Sequence, residues 1–215
     1  MGRPGSNTRH QILNAAEHAF GERGFDGASL RDIVCEAKVN LATVYYYFGS
    51  KHGLMEAVLA RRFGPLRQEQ FELLQAAEKQ QKGRAIPVDK ILRALLLPPL
   101  RLLAAPEAKR QTIARLVGRI VTEPNTRTQA FLRSQHGEVR AAFLRALQTS
   151  LPKVPPAYLR WRFEFITGAL AIILCNPTKL QKETRGVYKP IDVDRVLVEM
   201  IRFFSPGFHV PNAHS

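Results

Sequence analysis

The chain has 215 residues, 45% of them hydrophobic, with 32 basic against 18 acidic side chains and a formal net charge of +14. That length supports one large or two small packed domains, and no apolar run approaches the roughly 18 residues that a membrane-spanning helix needs. The only two cysteines, Cys35 and Cys175, lie in apolar helical contexts far apart in sequence; they read as small buried residues rather than as a disulfide framework or a metal site.

Met1 to Ser6 lack an apolar signal region, so a cytoplasmic protein is expected. The same residues fit a myristoylation pattern, which reads as a chance match because a basic arm explains them. Gly2-Arg3-Pro4 can lay an arginine into a narrow minor groove or can be a disordered tail. Thr8-Arg9-His10-Gln11 reads as a capping box, followed by Ile12, Ala16, Ala19 and Phe20 on one helical face and Gly24 as a stop. Ser29, with Asp32 three residues on, starts a second helix whose buried stripe is Leu30, Ile33, Val34 and Ala37.

Lys38-Val39-Asn40 interrupts that stripe, and Asn40 can cap a third helix from Leu41 to Phe48. Eight residues are too few to hold a helix alone, so neighbours must pin it. Val39, Val44 and Phe48 can face inward, which leaves Leu41, Ala42, Thr43, Tyr45, Tyr46 and Tyr47 largely outside. Such a surface suits entry into a major groove; it also suits tyrosines that merely wet the rim of a core, and spacing alone leaves both open.

Ser50 can cap a fourth helix, Lys51 to about Lys82, with a kink expected at Gly64-Pro65. Everything after it has helical periodicity: Val88 to Ala105, interrupted by Pro98-Pro99; Glu107 to Thr122; Thr126 to Leu151; Pro155 to Cys175; and Ile191 to Phe204, ended by Pro206. The second half of the segment ending at Cys175 is apolar almost all round, which predicts burial on more than one side. No segment reads as a strand. The fold class is therefore all-α, with a helical domain over 6–66 carrying a helix-turn-helix at about 29–48, and a second helical domain over 67–215.

The charge is unevenly spread. Residues 1–50 balance five basic against five acidic side chains, whereas 51–110 carry twelve and six and 111–215 carry fifteen and seven. The excess can attract DNA at long range or serve an acidic ligand. Catalysis finds no support: no metal-spaced cluster, nucleophile elbow or phosphate loop is present, and no cofactor is expected.

Thr43-Val44-Tyr45-Tyr46-Tyr47-Phe48-Gly49-Ser50-Lys51 resembles the recognition-helix signature of TetR-type repressors, and Asp32-Ile33 and Ala37-x-Val39 stand where that family has them. The likeness covers about residues 8 to 60, with Lys38 standing where the family usually has glycine. It implies a regulator of transcription that binds double-stranded operator DNA as a homodimer. By resemblance Leu41, Ala42 and Tyr45 take base-reading positions and Thr43, Tyr47 and Lys51 phosphate-contacting ones, with Ser29 and Tyr46 completing the surface. The chemistry agrees, since apolar groups can touch thymine methyls while hydroxyls and an ammonium hold phosphates.

Scattered stretches, among them Phe63-Gly64-Pro65, Gly137-Glu138-Val139, Lys153-Val154-Pro155-Pro156, Trp161-Arg162 and Gly168-Ala169, resemble PsrA-type members of the family, which are fatty-acid-responsive repressors. Tyr45 departs from the PsrA-type pattern, which implies a different operator. The resemblance implies an effector pocket in the second domain, with a long-chain fatty acid or acyl-CoA as the candidate ligand, needing an apolar tunnel and a cationic mouth. Phe63, Leu103, Leu116, Ile120, Phe131, Phe143, Trp161 and Phe165 are the tunnel candidates, with Arg115, Arg119 and Arg162 as anchors for a carboxylate or phosphate. The last two helices carry enough apolar surface for a dimer interface. The alternative is a TetR-type repressor of an efflux or other metabolic operon that answers a different hydrophobic or anionic effector.

Overall fold

The computed structural model describes residues 4–122, 126–176 and 192–210, with positions 178, 182, 183 and 185 between; the side chains of 4–6, 119–129 and 131–136 lie outside the described residues. The described chain is helical, and no strand occurs in it. The helices are α1 (Pro4–Gly27), α2 (Leu30–Glu36), α3 (Leu41–Phe48), α4 (Lys51–Gln81), α5 (Val88–Leu100), α6 (Glu107–Thr122), α7 (Thr126–Ser150), α8 (Pro156–Cys175) and α9 (Val193–Gly207). A single 3₁₀ turn, Arg101–Ala104, follows α5. None of these helices is long and apolar enough to cross a membrane.

The chain divides into two compact units, each discontinuous in sequence: Met1–Pro65 with Gln111–Arg133, and Leu66–Arg110 with Ser134–Ser215. The first unit has one core. Ile12, Leu13, Ala16 and Phe20 of α1, Phe25, Ile33 of α2, Val44 of α3, Leu54 and Val58 of α4 and Leu116 of α6 all pack into it. Glu17 lies inside this unit, 3% exposed. Arg61 and Arg62 of α4 both reach its carboxylate, and Arg61 also donates to the Leu13 carbonyl at 3.0 Å and to Asn14 at 2.8 Å. A buried carboxylate is tolerated only with such partners.

Local signals shift several boundaries. α1 begins at Pro4, a turn before the expected start, so Thr8 lies inside the helix rather than capping it; proline is well suited to a first helical position. Gly24 does interrupt α1, at φ 72° and ψ −177°, a region that is essentially glycine-only. Helix α4 continues through Gly64-Pro65 as helix, with its first part in one unit and the remainder in the other.

Helix α5 likewise runs through Pro98-Pro99 instead of breaking there, and its face from Ala94 to Leu100 is wholly buried. Pro99 has no N–H for the Leu95 carbonyl four residues before it. The Gln70 side chain of α4 donates to that carbonyl at 2.6 Å, supplying the missing partner. In the same unit α7 buries Val139, Phe143 and Leu147, α9 packs on α5 through Val196, Leu197 and Met200, and Asp192 caps α9 by accepting from the Arg195 amide at 3.0 Å.

Helix α8 departs from its expected burial. Leu159, Phe163, Ile166, Leu170 and Leu174 form one buried stripe, while Trp161, Phe165 and Ile172 are 64%, 59% and 56% exposed. The cysteine reading is corrected too: Cys35 is exposed and Cys175 half-buried, its thiol pKa raised by partial burial. Cys35 falls on the outer side of α2, since Ile33 and Ala37 take the inner stripe.

Gln70→Leu is expected to lower stability by about 1–3 kcal/mol, because it orphans a buried carbonyl without opening a cavity. Urea unfolding of the two proteins checks this, and equal midpoints would show that Leu95 finds another donor.

Candidate nucleic-acid interface

The interface is built on the end of α2. The Ser29 hydroxyl accepts from the Arg31 amide at 3.1 Å and so caps α2. Asp32 does not complete a capping box; its carboxylate pairs with Arg23 of α1. At the other end the Lys38 amide donates to Cys35 at 3.2 Å and the Val39 amide to Val34 at 3.0 Å. These two bonds, with Val34 and Val39 both packed on the core, make a Schellman stop. The stop requires a left-handed residue, and Lys38 supplies it at φ 54°.

Asn40 then caps α3. Its side-chain oxygen accepts from the Thr43 amide at 2.8 Å and from the Thr43 hydroxyl at 2.7 Å. Gly49, at φ 70°, ends the helix by donating to the Tyr45 carbonyl at 2.8 Å. The Ser50 hydroxyl accepts from Gly53 at 3.0 Å and starts α4 one residue later. Eight residues are thus stopped at both ends and anchored through the fully buried Val44.

Gly53 was not singled out in the sequence, yet the interface depends on it. A β-carbon there would stand 2.1 Å from the Phe48 carbonyl oxygen, so the backbones of α3 and α4 meet where only glycine fits. The available signal was a glycine inside the first turn of a capped helix, where it costs helix stability without a packing reason. Arg9 is a second omission: its guanidinium lies over the Phe48 ring, 5.5 Å from the centroid.

The expected DNA-facing side chains separate into two groups. Leu41, Ala42, Tyr45 and Tyr46 are exposed, with Tyr46 reaching 83%. Thr43 and Tyr47 are only half-buried rather than outside; the Thr43 hydroxyl is used in the cap and the Tyr47 ring packs on the core. Lys51 turns back, its ammonium 3.3 Å from the Asp26 carbonyl and 4.8 Å from the centre of the Phe25 ring. The Gly2-Arg3 arm lies outside the described residues.

The expected effector residues do not gather in the second unit. Leu116 is fully buried in the core of the first unit, Phe63 packs against that same core, and Arg115 is paired with Glu22 of α1. Trp161 and Phe165 stand outside on α8, so neither lines an interior tunnel. Arg162 is spent on the end of α9, donating to the Phe208 carbonyl at 2.9 Å and to Val210 at 2.7 Å. Leu103 and Phe143 are buried within the second unit. The side chains of Arg119, Ile120 and Phe131 lie outside the described residues. Among the described residues no group of three metal-ligating side chains occurs.

A core-anchored pair of helices joined by a tight stop, the second short and bare on its outer face, defines a helix-turn-helix protein. Residues 12–58 match the family of bacterial regulatory proteins of the tetR type, and residues 93–207 match the tetracyclin repressor-like C-terminal domain. The chain belongs to the TetR family of transcriptional regulators, which are not enzymes.

Over 54 residues it is 41% identical to the probable HTH-type transcriptional regulator YttP of Bacillus subtilis, covering 25% of this chain and 26% of that protein. Over 80 residues it is 38% identical to the HTH-type transcriptional repressor NicS of Pseudomonas putida, covering 37% and 38%. The chain thus matches under two fifths of the length of these relatives. In fold it is similar to HlyIIR, a hemolysin II transcriptional regulator, at a TM-score of 0.54 and 23% identity over 91% of this chain and 97% of the other. It is also similar to the regulator FadR from Bacillus subtilis in complex with stearoyl-CoA, at 0.54 and 16% over 92% and 98%.

Lys38→Gly is expected to stabilise the protein by about 0.5–1 kcal/mol, as relief of left-handed strain of about 1–2 kcal/mol exceeds the added entropy of the unfolded chain. Thermal unfolding monitored by helical circular dichroism reads the change, and a lowered midpoint would mean that the lysine side chain contributes more than the strain costs.

Proposed function

We propose that the protein is a sequence-specific, homodimeric DNA-binding repressor acting in the cytoplasm, released from its operator by a small ligand of its second unit. The observation that carries this reading is the outer face of α3: Leu41, Ala42, Tyr45 and Tyr46 are exposed on a helix that is locked at both ends. A rigid helix with bare methyls and phenols fits base edges in a major groove. Ser29, Thr43, Tyr47 and Lys51 border that face and serve the phosphates, Lys51 by exchanging its carbonyl and ring contacts for a phosphate oxygen.

Homodimerisation through α8 and α9 is supported by the apolar side chains left outside: Trp161, Phe165 and Ile172 on one and Val198 and Phe203 on the other. Exposed apolar groups this dense mark interaction surfaces. A two-fold dimer then reads half-sites one DNA turn or a multiple apart, about 34–36 Å per turn.

An acyl chain or its coenzyme A thioester is the effector to test first, on the strength of the PsrA-type resemblance and the leucine-rich α5. Commitment of Arg115 and Arg162 to other partners favours the second reading, a TetR-type repressor of efflux or other metabolic genes with a different hydrophobic or anionic effector.

Tyr45→Ala is expected to relax operator preference by about 1–3 kcal/mol, while Lys51→Ala weakens all DNA sites alike and lowers the salt slope by about one. Fluorescence anisotropy on operator and scrambled duplexes separates the two, and exchanged phenotypes would reverse the roles given to these residues.

In sedimentation equilibrium the free protein is expected to be a dimer; a monomer both alone and on DNA would defeat the operator model. Acyl-CoA titration is expected to raise thermal stability and release DNA. If no chain length changes either, the lipid reading falls and the regulator remains.

A further inference from the structure

The end of α4, the turn after it and the last part of α7 enclose a cleft of about 280 Å³ within the second unit. Its floor is apolar: Ile86 and Ala146 are buried there, and Ala142 is half-buried. Its rim is cationic. Arg84 stands on the turn and Arg145 on α7, both exposed, and neither makes an ion pair among the described residues. Glu78 and Thr149 are the other residues with polar side chains that line it.

The walls are held before any ligand arrives. The Ser150 hydroxyl of α7 donates to the Ile86 carbonyl at 2.6 Å, which ties the turn to the helix. Lys82 and Gly83 take positive φ values, 48° and 85°, and the Arg84 amide donates back to Gln81 at 3.0 Å. The backbone that carries Arg84 is therefore fixed, and the guanidinium has only its own rotamers to lose on binding.

We infer that this cleft is a binding site for a small amphipathic monoanion, a carboxylate on a ring or short chain, held between Arg84 and Arg145 with its apolar body on Ile86, Ala142 and Ala146. Guanidinium groups match a planar carboxylate with paired hydrogen bonds. Inorganic phosphate has no apolar body to cover Ile86, Ala142 and Ala146, so it forgoes the part of the binding that the floor supplies. The volume, about 280 Å³, lies just below the roughly 300–1,000 Å³ range of drug-sized ligand sites, so a small ligand fits and a long acyl tail does not. The site lies wholly within the second unit, and its existence does not depend on the operator reading.

The test is calorimetric titration of the full chain with benzoate, beside benzyl alcohol and inorganic phosphate. Saturable benzoate binding is expected, with the alcohol and phosphate each about tenfold weaker or more. The double variant Arg84→Gln/Arg145→Gln should lose about tenfold in benzoate affinity with an unchanged melting temperature, since both side chains are exposed. Ala142→Leu fills the cleft and keeps both charges, and it should weaken benzoate equally.

No saturable binding up to about 10 mM, or wild-type affinity in the double variant, overturns the site. Phosphate or benzyl alcohol binding as tightly as benzoate overturns the ligand class. Operator binding is not part of the readout, so failure here is distinct from failure of the repressor model.

Discussion

The first unit depends on one buried charge. Glu17 sits in the middle of α1 and draws both Arg61 and Arg62 of α4 onto it. Helices α2 and α3 contribute Ile33 and Val44 to the same core, so the register of α4 on α1 fixes the space those helices occupy. An apolar pair at this place would pack in several registers at similar cost. A carboxylate held by two guanidiniums, one of which also binds the Leu13 carbonyl and Asn14, allows one. Removing one partner of a buried pair costs about 3–5 kcal/mol, because the other charge is left in a poor solvent.

That register matters because α3 and α4 meet at backbone distance. The Phe48 carbonyl and Gly53 leave no room for a methyl, and Gly49 turns the chain between them at positive φ. Helix α3 is consequently oriented by main-chain contact and by its caps, Asn40 and Gly49, with Val44 as its one fully buried side chain. Its outer residues are left without a packing task. The residues beside them are occupied differently: Thr43 in a cap, Lys51 on a carbonyl and a ring. In the proposed complex, phosphate contact exchanges those bonds for charge-assisted ones, so the phosphate affinity proposed for Thr43 and Lys51 carries an internal cost that the base contact proposed for Tyr45 does not.

Local structure was legible in the sequence because its signals are local. Asn40, Gly24, Ser50 and the stripes of α6, α7 and α9 act within one or two turns, and the helices stand close to where those residues put them. Tertiary partners were not legible. Nothing within a turn of Leu116 says that it packs in the first unit, and the pairing of Glu17 with Arg61 and Arg62 spans more than forty positions. The proline pair in α5 misled for the same reason, since the group that compensates Pro99 is Gln70 on another helix. Trp161 and Phe165 are tunnel candidates on their apolarity, and an apolar side chain can be exposed as readily as packed. In the reading helix the outward set was largely legible, whereas the half-burial of Tyr47 and the need for Gly53 required the neighbouring backbone.

The distribution of charge limits what electrostatics can do for DNA binding. Residues 1–50, which hold the helix-turn-helix, carry no net charge, and the surplus lies in 51–215. Counterion release depends on how many phosphates are neutralised at contact, not on the total charge of the protein. A chain of pI about 10.4 can therefore bind its operator with a shallow salt dependence. Charge that makes no phosphate contact acts instead on encounter, drawing the protein toward a polyanion over a Debye length of about 8–10 Å and weakening as salt rises. On the proposed roles, discrimination between DNA sequences rests on the uncharged outer face of α3, where Leu41, Ala42 and Tyr45 are exposed, because bulk charge cannot distinguish one base pair from another.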